Sequence, residues 1–203
     1  ANGNEVIAIG FGEQLITVTD GSNTDTFRLT VNTDGTISSV KLEADSMDLI
    51  NILDAVTTPI DVTSAIAKAT YSGTTVTFTP LAAGTETMII SDGVNAIQIK
   101  VTVTETNGSL KVTLERPSKK LYTGTLGLFP TTVTMPNGNA FTSQHGTVKL
   151  QNGEITVYPG AIGTAQLILE DANGKTAFYE LTVKDDYSYS FAPFTQTVGY
   201  DAF

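Results

Sequence analysis

The fold of this chain is decided by a stretch that occurs twice. The first copy, residues 73–103, reads GTTVTFTPLAAGTETMIISDGVNAIQIKVTV. The second copy, residues 153–183, reads GEITVYPGAIGTAQLILEDANGKTAFYELTV. In each copy a short alternating strand meets a proline, a Gly-Thr pair follows, and two further strand-like runs flank a turn. A tandem pair of small β domains explains this repeat best.

Strand signals also dominate outside the repeat. Apolar residues alternate with Thr, Lys or Glu at 14–19, 26–31 and 110–114, which predicts strands with one apolar face. Asx-Gly pairs such as Asp20-Gly21 and Asp34-Gly35 separate the strands and accept the positive φ angles of tight turns. Short strands with frequent turn signals predict an antiparallel sandwich or barrel. We therefore expect an all-β fold.

Residues 46–56 break the alternation. Apolar residues at 49, 50, 52, 53 and 56 follow a helical stripe more closely than a strand pattern. Ser46 is suited to cap a helix and Asp48 to lie in its first turn, where the helix dipole favours a carboxylate. We expect a short helix here, packed against the first domain, with a buried strand as the alternative.

These signals divide the chain into two modules and a tail. The first module covers residues 1–105 and includes the helical insertion near 46–56, and the second covers 108–184. The polar junction between them is too short to act as a long flexible tether. Residues 185–203 form a separate C-terminal segment.

The repeated block resembles the second half of the bacterial immunoglobulin-like domains of invasin- and intimin-type adhesins. Such domains are also found in surface-layer proteins and in tailed-phage virion proteins. The resemblance is carried by Pro80 followed by Gly84-Thr85, and by Pro159 followed by Gly163-Thr164, each ending in a Val-Thr-Val-like strand. It implies two tandem immunoglobulin-like antiparallel β-sandwiches. It implies little about chemistry, because this fold carries many functions.

Composition excludes several classes of partner. The net charge of −10 argues against sequence-independent nucleic-acid binding and against docking on anionic membranes. No apolar run is long enough for membrane insertion by a helix. The absence of Cys excludes disulfide scaffolds and thiolate metal sites. The N-terminus lacks the pattern of a signal peptide, and a start at Ala1 leaves secretion and cytosolic production both open.

Catalytic residues are not evident, and we expect no enzyme activity. The one His, His145, is expected to be an exposed loop residue rather than a general base. No cofactor is expected. The best ionic hypothesis is calcium at Asp20, Asn23 and Asp25, whose oxygen atoms are suitable ligands. Plain turns are the favoured interpretation of these residues.

The C-terminal tail is unusually aromatic. It contains six aromatic residues, namely Tyr187, Tyr189, Phe191, Phe194, Tyr200 and Phe203. Free tails seldom contain so many, because nothing there buries them. Docking back onto the second module as an extra strand and docking on a neighbouring subunit are both open. We assign the six residues to an interface, and expect removal of 185–203 to abolish assembly while both modules stay folded.

These observations favour a structural or assembly protein over an enzyme. The first hypothesis is a phage virion component, a capsid-decorating or tail protein located in the virion. The alternative is a secreted bacterial or archaeal surface-layer, pilus or adhesin subunit at the cell surface. The expected partners are other copies of the chain, forming a homo-oligomer, or a capsid, tail or surface-layer scaffold. Carbohydrate binding is a third hypothesis, but no cluster of loop aromatics supports it.

Overall fold

The structure is a computed structural model that describes residues 7, 9–48, 56, 59, 61–122, 133–134, 140–152, 154–171, 174 and 176–194. Every regular secondary-structure element in these residues is a β-strand. The all-β prediction is therefore confirmed. No helix in the described part of the chain is long and apolar enough to cross a membrane.

The described residues form eighteen strands. In chain order they are β1 (Gly12–Thr19), β2 (Thr24–Val31), β3 (Ile37–Glu43), β4 (Asp45–Asp48), β5 (Val62–Thr63), β6 (Ala67–Ser72), β7 (Thr75–Pro80), β8 (Gly84–Ser91), β9 (Ala96–Thr106), β10 (Ser109–Glu115), β11 (Lys119–Tyr122), β12 (Val133–Thr134), β13 (Ala140–Ser143), β14 (Gly146–Gln151), β15 (Glu154–Pro159), β16 (Gly163–Asp171), β17 (Thr176–Val183) and β18 (Tyr189–Pro193).

The strands form one sheet of six and three of four. The strand orders are β1-β2-β3-β10-β9-β8, β4-β7-β6-β5, β11-β15-β14-β13 and β12-β16-β17-β18. Pairing is antiparallel in most of the sheets, whereas β3 and β10 are parallel. This all-β arrangement is compatible with immunoglobulin-like modules, and that assignment remains a prediction.

The chain divides into two compact units. The first comprises residues 1–47, 63–86 and 101–114, and the second comprises 48–62, 87–100 and 115–203. The predicted module boundaries, 1–105 and 108–184, stay a prediction.

The predicted helix near 46–56 is not seen. Ser46, which we expected to cap it, lies in strand β4 beside β7, and its hydroxyl lies 3.1 Å from that of Thr77. Pairing with a neighbouring strand satisfies the backbone there and overrides the local helical pattern. Residues 49–55, which carried most of that pattern, lie outside the described residues.

Both copies of the repeated stretch have the same topology. The prolines are the last residues of β7 and β15, which confirms that they end these strands. The chain then enters a different sheet at Gly84 or Gly163 and forms an adjacent strand pair, β8–β9 or β16–β17. Gly163 has a φ of +136°, and a Cβ there would overlap the His145 ring. Glycine is therefore required at this crossing between sheets.

Each unit buries its own set of apolar side chains. In the first unit the buried residues of β3, β6, β7, β9 and β10 include Leu42, Ala67, Ala69, Val76, Phe78, Val101, Val103, Leu110 and Val112. In the second unit one cluster consists of Val148, Leu150, Ile155, Val157, Leu167, Leu169, Tyr179, Leu181 and Phe191. This cluster joins residues of two four-stranded sheets, as the core of a β-sandwich does.

Candidate functional site

Strand β2 of the β1–β2 hairpin has a marked division between its two faces. Along β2, Phe27, Leu29 and Val31 alternate with Thr26, Arg28 and Thr30. Successive side chains in a strand point to opposite faces, so the three apolar residues share one face and the three polar residues share the other.

Pairing with β3 decides which of these faces is turned to the core. Thr26 lies opposite Leu42, and Arg28 lies opposite Val40. Directly paired residues point to the same side of a sheet. Leu42 is buried and pairs further with Leu110 of β10, so the polar face of β2 is the one on the side of the buried core.

A hydrogen bond of Arg28 agrees with this orientation. Its guanidinium donates to the backbone carbonyl of Leu81, directly after β7. The apolar face of the hairpin is therefore turned away from Leu42 and Leu110. Antiparallel sheets commonly pack one face on a core and leave a polar face to solvent. The β1–β2 hairpin does the reverse, because its apolar face is the outer one.

This outer face forms a groove of about 460 Å³, which we call the β1–β2 groove. Ile16 of β1, Leu29 and Val31 of β2, and Ile37 of β3 contribute apolar side chains. Glu13 is the one charged residue among those that line it. A groove of this composition favours an apolar partner over an ion or a sugar.

The residues before β1 extend the apolar surface. Ile7, Ile9 and Phe11 line the groove and are 62%, 99% and 71% exposed. Single exposed apolar residues are common on protein surfaces, but a contiguous group marks an interaction site. Covering a side chain of this size stabilises by roughly 1.5–3 kcal/mol. A partner seated on this surface therefore has a substantial driving force for binding.

The carboxylates among the calcium candidates have other partners in the structure. Both carboxylate oxygens of Asp20 accept hydrogen bonds within its own turn, from the backbone of Ser22 and Asn23 and from the Asn23 amide, at 2.8 to 3.2 Å. These bonds, the one from the Asn23 backbone first, lower the pKa of Asp20. Asp25 instead forms an ion pair with Lys41 at 2.8 Å.

The wider search for metal ligands gives no further candidate. Within the described ranges no three His, Cys, Asp or Glu side chains gather in a way that would hold a metal ion. Asp20 stabilises a hairpin turn, and Asp25 and Lys41 neutralise each other on the outer face of the sheet. Calcium binding at Asp20, Asn23 and Asp25 therefore receives no geometric support and stays a hypothesis.

Part of the aromatic tail belongs to the chain's own sheet. Tyr189–Pro193 forms β18, which pairs antiparallel with β17 and places Phe191 opposite Leu181. Phe191 is 7% exposed and stacks on Tyr179 with ring centroids 5.1 Å apart. Burial raises the pKa of Tyr179. This arrangement is the extra strand of the second module that the sequence left open as one alternative.

The remaining tail residues differ in their surroundings. Phe194 contacts Phe178 with ring centroids 5.7 Å apart, and Tyr187 lies in the preceding turn with a φ of +62°. Both are half-buried, as is Tyr189. Tyr200 and Phe203 lie outside the described residues. The interface assigned to the six residues stays a prediction, and Phe191 has its partner within the same chain.

His145 and Arg116 both have structural partners in the second unit. The His145 ring lies against Gly163, with its Nδ1 3.3 Å from the Ala161 carbonyl, so it is half-buried rather than fully exposed. The Arg116 guanidinium lies 3.8 Å from the centre of the Tyr158 ring, and burial lowers the pKa of Arg116 to about 10. These contacts hold loops and strands together, and neither site brings a nucleophile beside a base.

The β1–β2 groove is the feature that sequence reasoning missed. The cluster of Ile7, Ile9 and Phe11 within five residues was the one local signal for an apolar surface before β1. The register that turns the apolar face of β2 outward was not visible in the sequence.

Comparison of the chain with protein-family models, with curated proteins and with solved structures finds no match in any of the three. The resemblance of the repeated block to bacterial immunoglobulin-like domains therefore rests on the motif residues themselves. The all-β fold is compatible with it.

Proposed function

We propose that this protein is a non-enzymatic structural protein that assembles with copies of itself or with a larger scaffold. The observation that supports this most directly is the β1–β2 groove, whose apolar face is turned away from the buried residues of its own unit. A surface of this kind is stabilised by a protein partner and offers no chemistry of its own.

Among assembly roles we propose a phage virion component, either a capsid-decorating or a tail protein. The support is the resemblance of the repeated block to domains that also occur in tailed-phage virion proteins. The acidic composition, with a net charge of −10, suits a surface exposed on a particle and keeps the free chain soluble.

The alternative is a secreted surface-layer, pilus or adhesin subunit, in which the same groove joins neighbouring subunits. The resemblance of the repeated block supports this alternative as well, because such domains also occur in surface-layer proteins and adhesins. Antibodies raised against the chain distinguish the two settings by electron microscopy of the native source. Labelling of phage particles supports the virion role, and labelling confined to the cell envelope contradicts it and supports the alternative.

The assembly function itself is tested with a charged residue in the groove. We expect Phe11→Asp to lower binding of the purified chain to particles from its source, or its self-association, by about tenfold or more. Val94→Asp is the matched control, because Val94 is 72% exposed and Phe11 71%, and Val94 lies in a turn outside the groove.

Co-sedimentation and light scattering give the readout for both variants. Equal assembly of the Phe11→Asp variant and the unmodified chain would contradict the groove as the assembly surface. Equal loss in the Phe11→Asp and Val94→Asp variants would contradict it as well, because charge alone would then explain the effect.

A further inference from the structure

We propose that β1 pairs antiparallel with β1 of a second copy of this chain, centred on Ile16, so that two six-stranded sheets join edge to edge. This inference rests on the proposed function, because it names the partner of the same part of the surface. It begins from the position of β1, which is an edge strand of its sheet among the described residues.

This edge lacks the features that prevent pairing between sheets. Natural edge strands are kept apart by short length, by Lys or Pro, or by bulges. β18 is five residues long and ends in Pro193, and the edge strand β13 has four residues. In contrast, β1 is eight residues long, has neither Lys nor Pro, and has Glu13 as its single charge.

The hairpin turn shows which backbone groups of β1 point to the open edge. The Asp20 N–H donates to the Asn23 carbonyl at 3.1 Å, so the backbone of residue 20 is directed toward β2. The next pair, Thr19 and Thr24, has its hydroxyls 3.2 Å apart, as in a pair without backbone hydrogen bonds. Alternation then directs the N–H and C=O groups of residues 13, 15, 17 and 19 toward the open edge.

Only one register uses all four of these outward residues. Centring the pair on Ile16 places residue 13 opposite 19 of the second copy, and 15 opposite 17, which gives about eight backbone hydrogen bonds. Centring on Leu15 or Thr17 leaves one outward residue of each copy without a partner in the strand. The backbone therefore selects the register centred on Ile16.

Side chains are compatible with the same register and with a second copy as the partner. Glu13 lies opposite Thr19 of the second copy, and Asp20 lies opposite Gly12, so like charges do not face each other directly. Ile16 lines the groove and lies beside Ile16 of the second copy, which joins the two grooves into one apolar surface. The interface is isologous, as expected for a two-fold dimer.

Cysteine cross-linking tests the register directly, because the chain has no Cys of its own. In this register the two Ile16 Cα atoms lie about 4.5 Å apart, within the range of a disulfide. Two Thr17 Cα atoms would lie about 8 Å apart, beyond that range. We expect Ile16→Cys to form a covalent dimer under mild oxidation at least about tenfold faster than Thr17→Cys.

A double variant that leaves Ile16 in place tests the same register, even if Ile16→Cys impairs folding. The double variant Glu13→Cys/Thr19→Cys is expected to cross-link between copies, whereas neither single variant is. Equal cross-linking of Ile16→Cys and Thr17→Cys would overturn the register, since random collision would explain both. Absence of cross-linking in folded Ile16→Cys and in the double variant would overturn pairing through β1.

The affinity of the dimer can also be measured without cross-links, by comparing the unmodified chain with a variant whose β1 edge is blocked. Thr17→Pro removes an outward N–H that β2 does not use, and we expect it to weaken the dimer at least about tenfold by analytical ultracentrifugation. Thr17→Val, which keeps the N–H, is the control and should stay within about threefold. Because each copy has a net charge of −10, added salt should strengthen the dimer.

Failure of this inference is distinguishable from failure of the proposed function. A chain that is monomeric by itself at all concentrations, yet binds particles through Phe11, overturns the second copy as the partner and leaves the assembly function intact. A dimer whose affinity is unchanged by Thr17→Pro places self-association elsewhere on the chain and also overturns the inference.

Discussion

Among the described residues, the β1–β2 hairpin and strand β18 are both edge elements with alternating apolar residues, but only β18 turns an apolar residue into the core of its own unit. β18 turns Phe191 into the core of the second unit, where it stacks on Tyr179. The hairpin turns Leu29 and Val31 to the outer side of its sheet, away from Leu42. Alternation shows that a strand has an apolar face, but the pairing register decides whether that face meets the core or a partner.

The largest expected effect is on the β18 side of this comparison. Phe191→Ala removes a buried ring and its stacking contact with Tyr179. We therefore expect the free energy of unfolding of the second unit to fall by about 3–5 kcal/mol. Ser190→Ala, at the exposed neighbouring position, should change it by less than about 0.5 kcal/mol. Urea unfolding measures both. A loss below about 1 kcal/mol for Phe191→Ala would show that β18 is not part of the core.

A smaller loss of stability is expected for a substitution at Gly163, where the chain of the second unit passes from one sheet to the other. Gly163→Val places a branched side chain at a φ of +136° and against the His145 ring. We expect a loss of about 2–3 kcal/mol from backbone strain and crowding. Thr164→Val, at an exposed position beside it, is the control. Equal stability of the Gly163→Val variant and the unmodified chain would contradict the tight crossing described here.

Acid should weaken the turn that leads into β18. Hydrogen bonds from Ser188, its hydroxyl first and then its backbone N–H at 2.9 Å, hold the pKa of Asp186 below its usual value of 3.8. The folded state therefore binds fewer protons than the unfolded state just below pH 3.8. The stabilisation is present above that pH and is lost as the pH falls through the lowered pKa.

Asp186→Asn tests this linkage. The variant should lose part of the acid dependence of the urea midpoint between about pH 5 and pH 2. Ser188→Ala should show an intermediate effect, because one of the two hydrogen bonds remains. An unchanged acid dependence in the Asp186→Asn variant would mean that the turn does not contribute to this linkage.

The smallest effect on stability is expected on the hairpin side. Ile9 is 99% exposed, so Ile9→Asp should change the free energy of unfolding by less than about 0.5 kcal/mol while it lowers assembly. Thermal unfolding and light scattering measure the two properties separately. A large loss of stability would show that the segment before β1 packs on its own unit, and the contrast with Phe191 would disappear.

The interface prediction for the tail is tested best beyond β18. Removal of residues 185–203 takes Phe191 out of the core, so it changes stability as well as assembly. A chain that ends at residue 194 keeps every described contact of β18. Loss of assembly in that shorter chain would support an interface at Tyr200 and Phe203, and unchanged assembly would contradict it.

Local sequence signals predicted much of the fold and little of the candidate site. The strand character of 14–19 and 26–31 and the ends of β7 and β15 at Pro80 and Pro159 followed from alternation and from the missing N–H of proline. The helix predicted near 46–56 was wrong where the chain is described, because β4 extends beside β7. A sheet neighbour distant in sequence outweighs a local pattern of this length.

The sequence by itself determined that this protein is built of strands, that a glycine stands at each crossing of the repeated block, and that the chain is acidic and free of Cys. These properties depend on neighbouring residues and on composition. Only the tertiary structure decided that Phe191 is buried and that the apolar face of β2 is turned away from Leu42. Both outcomes depend on which strands pair and in what register, and a shift of one residue would reverse each face.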